Sequence, residues 1–573
     1  MRWKNPLTLQ AGKLARLGAA VALCGGIFLA LLISHWTLLR LPYYWDEAGY
    51  YIPAAWDFFR TGSLIPLSTL TNAHPPLPSI YLAGWWHLFG FSPLVTRVAT
   101  LFAATLALLA VGRLSFRLTA SRAVTLWTVL LTALYPVWFA QSALAHADIF
   151  AAACTLWGLV YSLPRSQRSP LRAACWFSLA ALAKETAIAV PLTLALAAAA
   201  ELFHAKFSRE SGDAAPDESA EAVRCNSTPA FLRKSRLELS AAANRTLVTR
   251  LSLTAEACWM AACVLPLGCW YLYHRHKTGF FFGNPEFLRY NAQANLEPMR
   301  FLAAFGHRLL HLTAHMNLFV LVLAALAALF LPLRKDYDGA APRFIARMAL
   351  WRIFLLILAN AVFFSILGGA LLTRYLLPIY PLVILLALST LRRHLRRWWM
   401  VALLAAAAFV AGLFIDPPYG FAPEDNLSWA RFVRLHQAGI TELQQRYPDA
   451  TVLSSWPLTD ALRRPELGYL QAPYEVFPVD DFSAQEIRRA ADHPESFSTA
   501  LVFSTKLNPQ STLFTLGERS KELDVRYFGL HQDLAPEAIA RILDGDLVWE
   551  QREHGQWIAL IRFHRAVYAW NRE

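Results

Sequence analysis

Charged residues make up only 16% of this 573-residue chain, against 56% apolar ones. So small a charged share over that length excludes an ordinary soluble globular protein, whose composition runs to about a quarter Asp, Glu, Lys and Arg. Cysteine is also scarce. Cys24, Cys154, Cys175, Cys258, Cys263 and Cys269 fall in apolar runs and Cys225 in a basic segment. The other polar regions therefore hold no disulfide framework, and the spacing of Cys258, Cys263 and Cys269 is not that of a zinc site. No small-residue cleavage site precedes Tyr44-Trp45-Asp46, so the first apolar run reads as a retained helix rather than a signal peptide. Nor is an internal repeat visible, which counts against a secondary transporter built from two related halves.

What the chain does have is long apolar runs. Segments near 17–41, 94–112, 123–142, 145–163, 172–183, 186–203, 254–273, 313–333, 349–369, 371–390 and 398–415 match the roughly 17 to 25 residues of a spanning helix. They predict a polytopic α-helical membrane protein with about eleven transmembrane helices. The fifth run is short for a span and is expected to pair tightly with the sixth around Lys184-Glu185.

The net charge of +13 would suit nucleic acid were it spread over one surface, but Lys and Arg gather in short clusters between the apolar runs. Arg2, Lys4, Lys13 and Arg16 precede the first run. Arg113, Arg117 and Arg122 follow the second, and Arg165, Arg168 and Arg172 follow the fourth. Further clusters lie from Lys206 to Arg250, from Arg334 to Arg347 and from Arg392 to Arg397. All belong to alternate loops, which places them in the cytoplasm with the N-terminus. Nucleic acid is excluded as a partner, and a segment of about 204–253, poor in large apolar residues, reads as a mobile cytoplasmic loop.

The opposite face then holds Asp46, the loop to Pro93, the segment from His274 to His311 and everything after Asp416. From 416 to 573 the pattern is that of a soluble α/β domain outside the membrane, beside a membrane domain of 1–415. Thr451–Leu453, Ala500–Phe503, Val525–Phe528 and Trp557–Ile561 read as strands, and Trp429–Tyr447, Ala484–Ala491 and Pro536–Leu543 as helices. His554-Gly555 reads as a hairpin turn.

Ionisable residues at the outer ends of the runs are functional candidates, because charges near hydrocarbon are costly. Asp46-Glu47 follows the first run in a setting of Tyr and Trp. His74-Pro75-Pro76-Leu77 halts any helix at His74 and suits an interfacial helix beyond it. Asp148 lies at the outer end of the fourth run, Lys184-Glu185 between the fifth and sixth, and Arg374-Tyr375 at the mouth of a late run. Arg374 offers a fork suited to phosphate, and Arg289 is a further phosphate candidate. His307, His311 and His315 share one helical face, which fits an interfacial helix better than a metal site.

Taken in order, the Trp-Asp-Glu element, His-Pro-Pro-Leu, the Asp after the third run, Ala181-Leu182-Ala183-Lys184-Glu185-Thr186 and Arg374-Tyr375-Leu376-Leu377-Pro378 resemble the GT-C class of polyprenyl-phosphate-sugar-dependent glycosyltransferases. Bacterial relatives of protein O-mannosyltransferases and lipid A aminoarabinose transferases belong to it. The resemblance spans about residues 10 to 415.

It implies a GT-C-like fold and inverting transfer of a sugar from a polyprenyl-phosphate donor to a protein, lipid or glycan at the outer face of a bacterial inner membrane. Asp46, Glu47 and Asp148 would be catalytic. His74, Lys184, Arg289, Arg374 and Tyr375 would meet the donor phosphate. Some relatives use a divalent metal near the first loop, and the residues here leave metal dependence open, as they do the sugar and the acceptor. The alternatives are a secondary transporter and a non-catalytic membrane scaffold for envelope glycan assembly.

Overall fold

The computed structural model describes residues 6–69, 71–164, 168–210, 251–283, 297–335, 344–367, 371–505, 522, 525–528 and 533–564. Arg289, Cys225 and most of the expected mobile loop lie outside the described residues.

The chain is mostly helical. After α1 (Pro6–Ser34), a π-helical turn at Glu47–Tyr51 leads into α2 (Ile52–Thr61) and α3 (Leu77–Phe89). The next helices are α4 (Pro93–Thr119), α5 (Arg122–Leu134), α6 (Pro136–Ala143), α7 (Ala147–Ser162), α8 (Pro170–Ala183) and α9 (Ala189–Glu210). Then come α10 (Leu251–Thr278), α11 (Pro298–Thr313), α12 (Phe319–Ala328), α13 (Arg347–Ile366), α14 (Tyr380–His394) and α15 (Trp398–Phe414).

Local chemistry sets several of these boundaries. Ser92 caps α4 by accepting from the Val95 amide, with Pro93 at the first helical position, where a missing N–H costs nothing. Pro75 and Pro76 delay α3 until Leu77, as expected of residues that cannot donate inside a helix.

Among the described residues four helices are long and apolar enough to cross a membrane, and two bent pairs raise the number to six. Four more apolar helices are shorter, including α7, α8 and α15. Of the roughly eleven spans expected from hydropathy, the described residues supply four to six of full length and four shorter apolar helices. The run at 123–142 is bent by 65° between α5 and α6, where Pro136 removes a backbone donor. The run at 313–333 joins a helix that meets it at 102° across Asn317. A hydropathy window counts apolar residues and is blind to such breaks.

Outward from the bundle point large apolar side chains, among them Leu23, Leu29, Ile33, Leu126, Leu265, Leu272, Phe330, Leu403 and Leu404. Exposed apolar surface on this scale needs lipid around it, and the protein is a multi-pass membrane protein. Between helices the contacts are made by small residues. A Cβ on Gly158 of α7 would lie 2.4 Å from the Phe177 ring of α8, a close approach of the kind that packs helices where hydrocarbon offers no hydrophobic drive.

Beyond α15, α16 (Ser428–Arg446) covers a five-stranded mixed sheet of order β2-β1-β3-β5-β4. The strands are β1 (Val452–Ser455), β2 (Val476–Val479), β3 (Thr499–Phe503), β4 (Gly545–Glu553) and β5 (Gln556–Phe563). β1 runs parallel to β2 and β3, whereas β5 is antiparallel to β3 and β4. His554 (φ 46°) and Gly555 (φ 80°) turn the β4–β5 hairpin, the two left-handed positions that a tight hairpin needs.

Short helices α17 (Leu458–Arg463), α18 (Ala484–Ala491) and α19 (Pro536–Ile542) connect the strands. The strand expected at Val525–Phe528 is helical instead, and β2 and β4 are strands that the sequence pattern does not announce. In β4 polar residues and a bulge near Leu547–Trp549 mask the alternation.

The sheet does not stand apart from the helices. Trp429, Phe432, Leu453 and Leu501 share one apolar core with Tyr44, Phe139, Ala143, Leu144 and Leu413, so the loops after α1 and α6 and the end of α15 are packed against α16 and the sheet.

Candidate active site

The first loop delivers Asp46 and Glu47 on either side of a change in backbone. Trp45 is left-handed at φ 42° and the π-helical turn begins at Glu47. A non-glycine residue held there is strained, and both features concentrate at functional sites. The two carboxylates diverge as a result.

Glu47 is buried and turned inward. It binds the Arg97 guanidinium and accepts from the amides of Ala145 at 2.6 Å and Tyr44 at 2.9 Å. Arg97 completes the knot by donating to the carbonyls of Ala143 at 2.7 Å and Pro42 at 3.0 Å. Every partner of this pair is structural, so the geometry does not bring Glu47 to the other candidates.

Asp46 points instead to Arg374, which sits at the centre of the site. Arg374 Nη2 binds Asp46, Nη1 donates to Glu424 at 2.6 Å, and Nε lies 3.4 Å from Asp148. Asp148 also takes Lys184 Nζ at 2.6 Å, and Lys184 rests 4.2 Å above the centre of the Tyr375 ring. His146 Nδ1 is 2.9 Å from Gln141 Oε1 and 3.1 Å from Arg374 Nη1.

His74, after the left-handed Ala73 (φ 58°), donates to Glu185 at 2.9 Å. It is linked to the rest through Tyr51, whose ring stacks on His74 at 5.7 Å and meets His146 at 5.8 Å. The structure therefore gathers Asp46, Asp148, Lys184, Arg374 and Tyr375, with His74 adjoining.

Reading the sequence missed Glu424, His146 and Tyr51 as site members. Glu424 had a faint signal, an acidic pair Glu424-Asp425 shortly after the last apolar run. Its turn lies outside the spanning helices. Burial pushes its carboxyl up to about 8 against the pull of Arg374, with Asp46 and further carboxylates adding to the rise.

Asp46 differs from the other two carboxylates in access: its side chain is 19% exposed, against 3% for Asp148 and 4% for Glu424. Among the described residues no group of three or more His, Cys, Asp or Glu side chains is placed to hold a metal. The Arg374 guanidinium already fills the space that the three carboxylates share, an arrangement that does not fit a resident cation. His315 donates to Asp425 at 3.0 Å and contacts Tyr419 at 3.2 Å.

No family model matches the chain, and no curated protein does. Among solved structures it is similar to ArnT from Cupriavidus metallidurans bound to undecaprenyl phosphate. The two are 15% identical with a TM-score of 0.51, over 93% of this chain and 97% of that one. The apo state of the same protein gives 14% identity and a TM-score of 0.50 over 95% and 98%. The chain has a GT-C-like fold. The archaeal oligosaccharyltransferase AglB from Archaeoglobus fulgidus is also similar, at 12% identity over 95% of this chain and 74% of that one, with a TM-score of 0.36.

Proposed function

We propose that the chain is an inverting membrane glycosyltransferase, moving a sugar from a polyprenyl-phosphate donor to an acceptor hydroxyl at the outer face of a bacterial inner membrane. The observation that carries this reading is Asp46: a partly exposed carboxylate held by Arg374 in an otherwise buried charged cluster, in a fold shared with a protein solved with undecaprenyl phosphate.

In the proposed reaction the acceptor O–H bond breaks and its proton passes to Asp46. The acceptor oxygen bonds to the anomeric carbon as the bond from that carbon to the phosphate oxygen breaks, and the lipid phosphate leaves with the electron pair. Asp46 thus acts as general base. The positive field of Arg374 and Lys184 stabilises the charge that develops on the phosphate. Asp148 and Glu424 hold those two cations in place, and His74, oriented by Glu185, lines the donor side. The secondary-transporter reading has no comparable support, since no internal repeat is visible in the chain.

Replacing Asp46 by Asn tests this. The carboxamide preserves size and polarity but accepts no proton, so transfer from a polyprenyl phosphosugar should fall by about 10²-fold or more, with the melting temperature little changed. Undiminished turnover by folded Asp46→Asn protein would remove Asp46 from the chemistry.

A further inference from the structure

α10 has 28 residues, so it is about 42 Å long at 1.5 Å per residue. The hydrocarbon layer is about 30 Å thick, and the bilayer with its headgroups about 40–45 Å. The last turn of α10 therefore reaches the headgroups. That turn carries Arg275, His276 and Lys277, all exposed. Because α10 follows the basic segment that ends at Arg250, this triplet lies at the opposite face, where Lys and Arg are in deficit.

Basic residues at a helix C-terminus complement its dipole, but the dipole does not account for what comes next. Gly279, left-handed at φ 81°, reverses the chain. Phe280, Phe281 and Phe282 then come back along the helix, each at least 40% exposed. The Phe282 ring meets Tyr271 at 5.1 Å, and the Arg275 guanidinium carbon lies 4.5 Å from the centre of the Phe281 ring.

This turn is fastened in place. His274 Nδ1 donates to the Phe280 carbonyl at 2.7 Å, and its Nε2 lies 2.8 Å from Thr71 Oγ1. Trp270 donates to the Ala73 carbonyl at 2.9 Å, and a Cβ on Gly283 would lie 2.9 Å from the Asn72 backbone. The phenylalanines are thus held against the segment that presents His74.

Exposed rings beside exposed cations at headgroup level match the two halves of an anionic lipid, acyl chain and phosphate. Consecutive helical residues point in different directions, so Arg275, His276 and Lys277 do not clasp a single phosphate. Arg275 alone rests on an aromatic shelf, and among the described residues its guanidinium has no carboxylate within ion-pair distance. We propose that Arg275, Phe281 and Phe282 form a binding site for an anionic phospholipid of the surrounding bilayer. Its phosphodiester accepts from the guanidinium and an acyl chain lies along the two rings, while His276 and Lys277 add to the positive field. The site shares no residue with the Arg374 cluster and does not depend on whether the chain transfers sugar.

The test titrates the full chain in detergent with phosphatidylglycerol, with phosphatidylcholine of the same acyl chains and with glycerol 3-phosphate, and counts adducts by native mass spectrometry. Wild type should prefer phosphatidylglycerol. Arg275→Gln should lower that affinity about fivefold, the worth of one cation near a charged headgroup, with phosphatidylcholine binding unchanged. Phe281→Ser should weaken both lipids, since the shelf serves both. Arg434→Gln removes an exposed arginine of α16 and should change neither.

All three variants should melt like lipid-free wild type, because the altered side chains are exposed; this separates loss of the site from loss of the fold. Equal affinity of wild type for the two lipids overturns the site, as does an equal loss in Arg434→Gln and Arg275→Gln. Glycerol 3-phosphate that displaces phosphatidylglycerol at equal concentration overturns a lipid as the occupant in favour of a soluble anion.

Discussion

Asp46 and Glu47 are adjacent, yet the left-handed Trp45 and the π-helical turn send one to Arg374 and the other to Arg97. Glu47 belongs to a fully buried ion pair, and removing one partner strands the other charge. Glu47→Ala or Arg97→Leu should therefore cost about 3–5 kcal/mol, seen as a marked drop in melting temperature, with activity lost through misplacement of Asp46. A Glu47→Ala protein that melts like wild type would show that the knot does not hold the loop.

Glu424 makes a second prediction at this scale. Its folded carboxyl titrates near 8 instead of its ordinary 4.5, so between those values the folded state binds the proton that the unfolded state has released. The stabilisation is complete below the ordinary value and is lost as pH rises through about 8. Melting curves in this range should show stability falling with pH in wild type, and Glu424→Gln should flatten that slope. A slope unchanged in the variant would assign it to another group.

Among the elements, the α7–α8 contact depends on Gly158 leaving room for Phe177. Gly158→Val would drive a branched side chain into that ring, and overpacking of this kind costs about 1–3 kcal/mol. Phe177→Ala combined with it should recover part of the loss. If the double variant is no better than Gly158→Val alone, the two residues do not meet as described. The adjoining α8 ends at Lys184, where the chain leaves helical geometry before the 3-10 turn Glu185–Ile188. That break lets Lys184 turn to Asp148 and Glu185 to His74, which neighbours on one continuous helix could not do.

For the whole molecule, α14 starts close to Arg374 and ends at Arg392, Arg393 and His394, about 20 Å further along at 1.5 Å per residue. The charged site and the basic cluster thus occupy opposite ends of one helix, as the proposed sidedness requires. In a variant without native cysteines, Glu495→Cys, on the exposed surface of the sheet region, should react with a membrane-impermeant thiol reagent in intact spheroplasts. Arg396→Cys should react only after lysis. Equal labelling at both positions in sealed cells would reverse or abolish the proposed orientation.

The membrane class, the helical character and most of the residues that meet at Arg374 were legible in the linear chain, because low charge density, apolar run length and ionisable residues at run ends are properties of its order alone. It also contained the His554-Gly555 turn, whose geometry is local. It took the folded chain to show that Glu47 is buried against Arg97 and that Glu424 joins Asp46 and Asp148 around Arg374. Those facts depend on which side chains meet across 50 or more positions, as Glu47 and Arg97 or Arg374 and Glu424 do. Helix breaks were hidden for a related reason: an apolar run fixes how much of the chain sits in lipid, whereas packing and proline set where it bends.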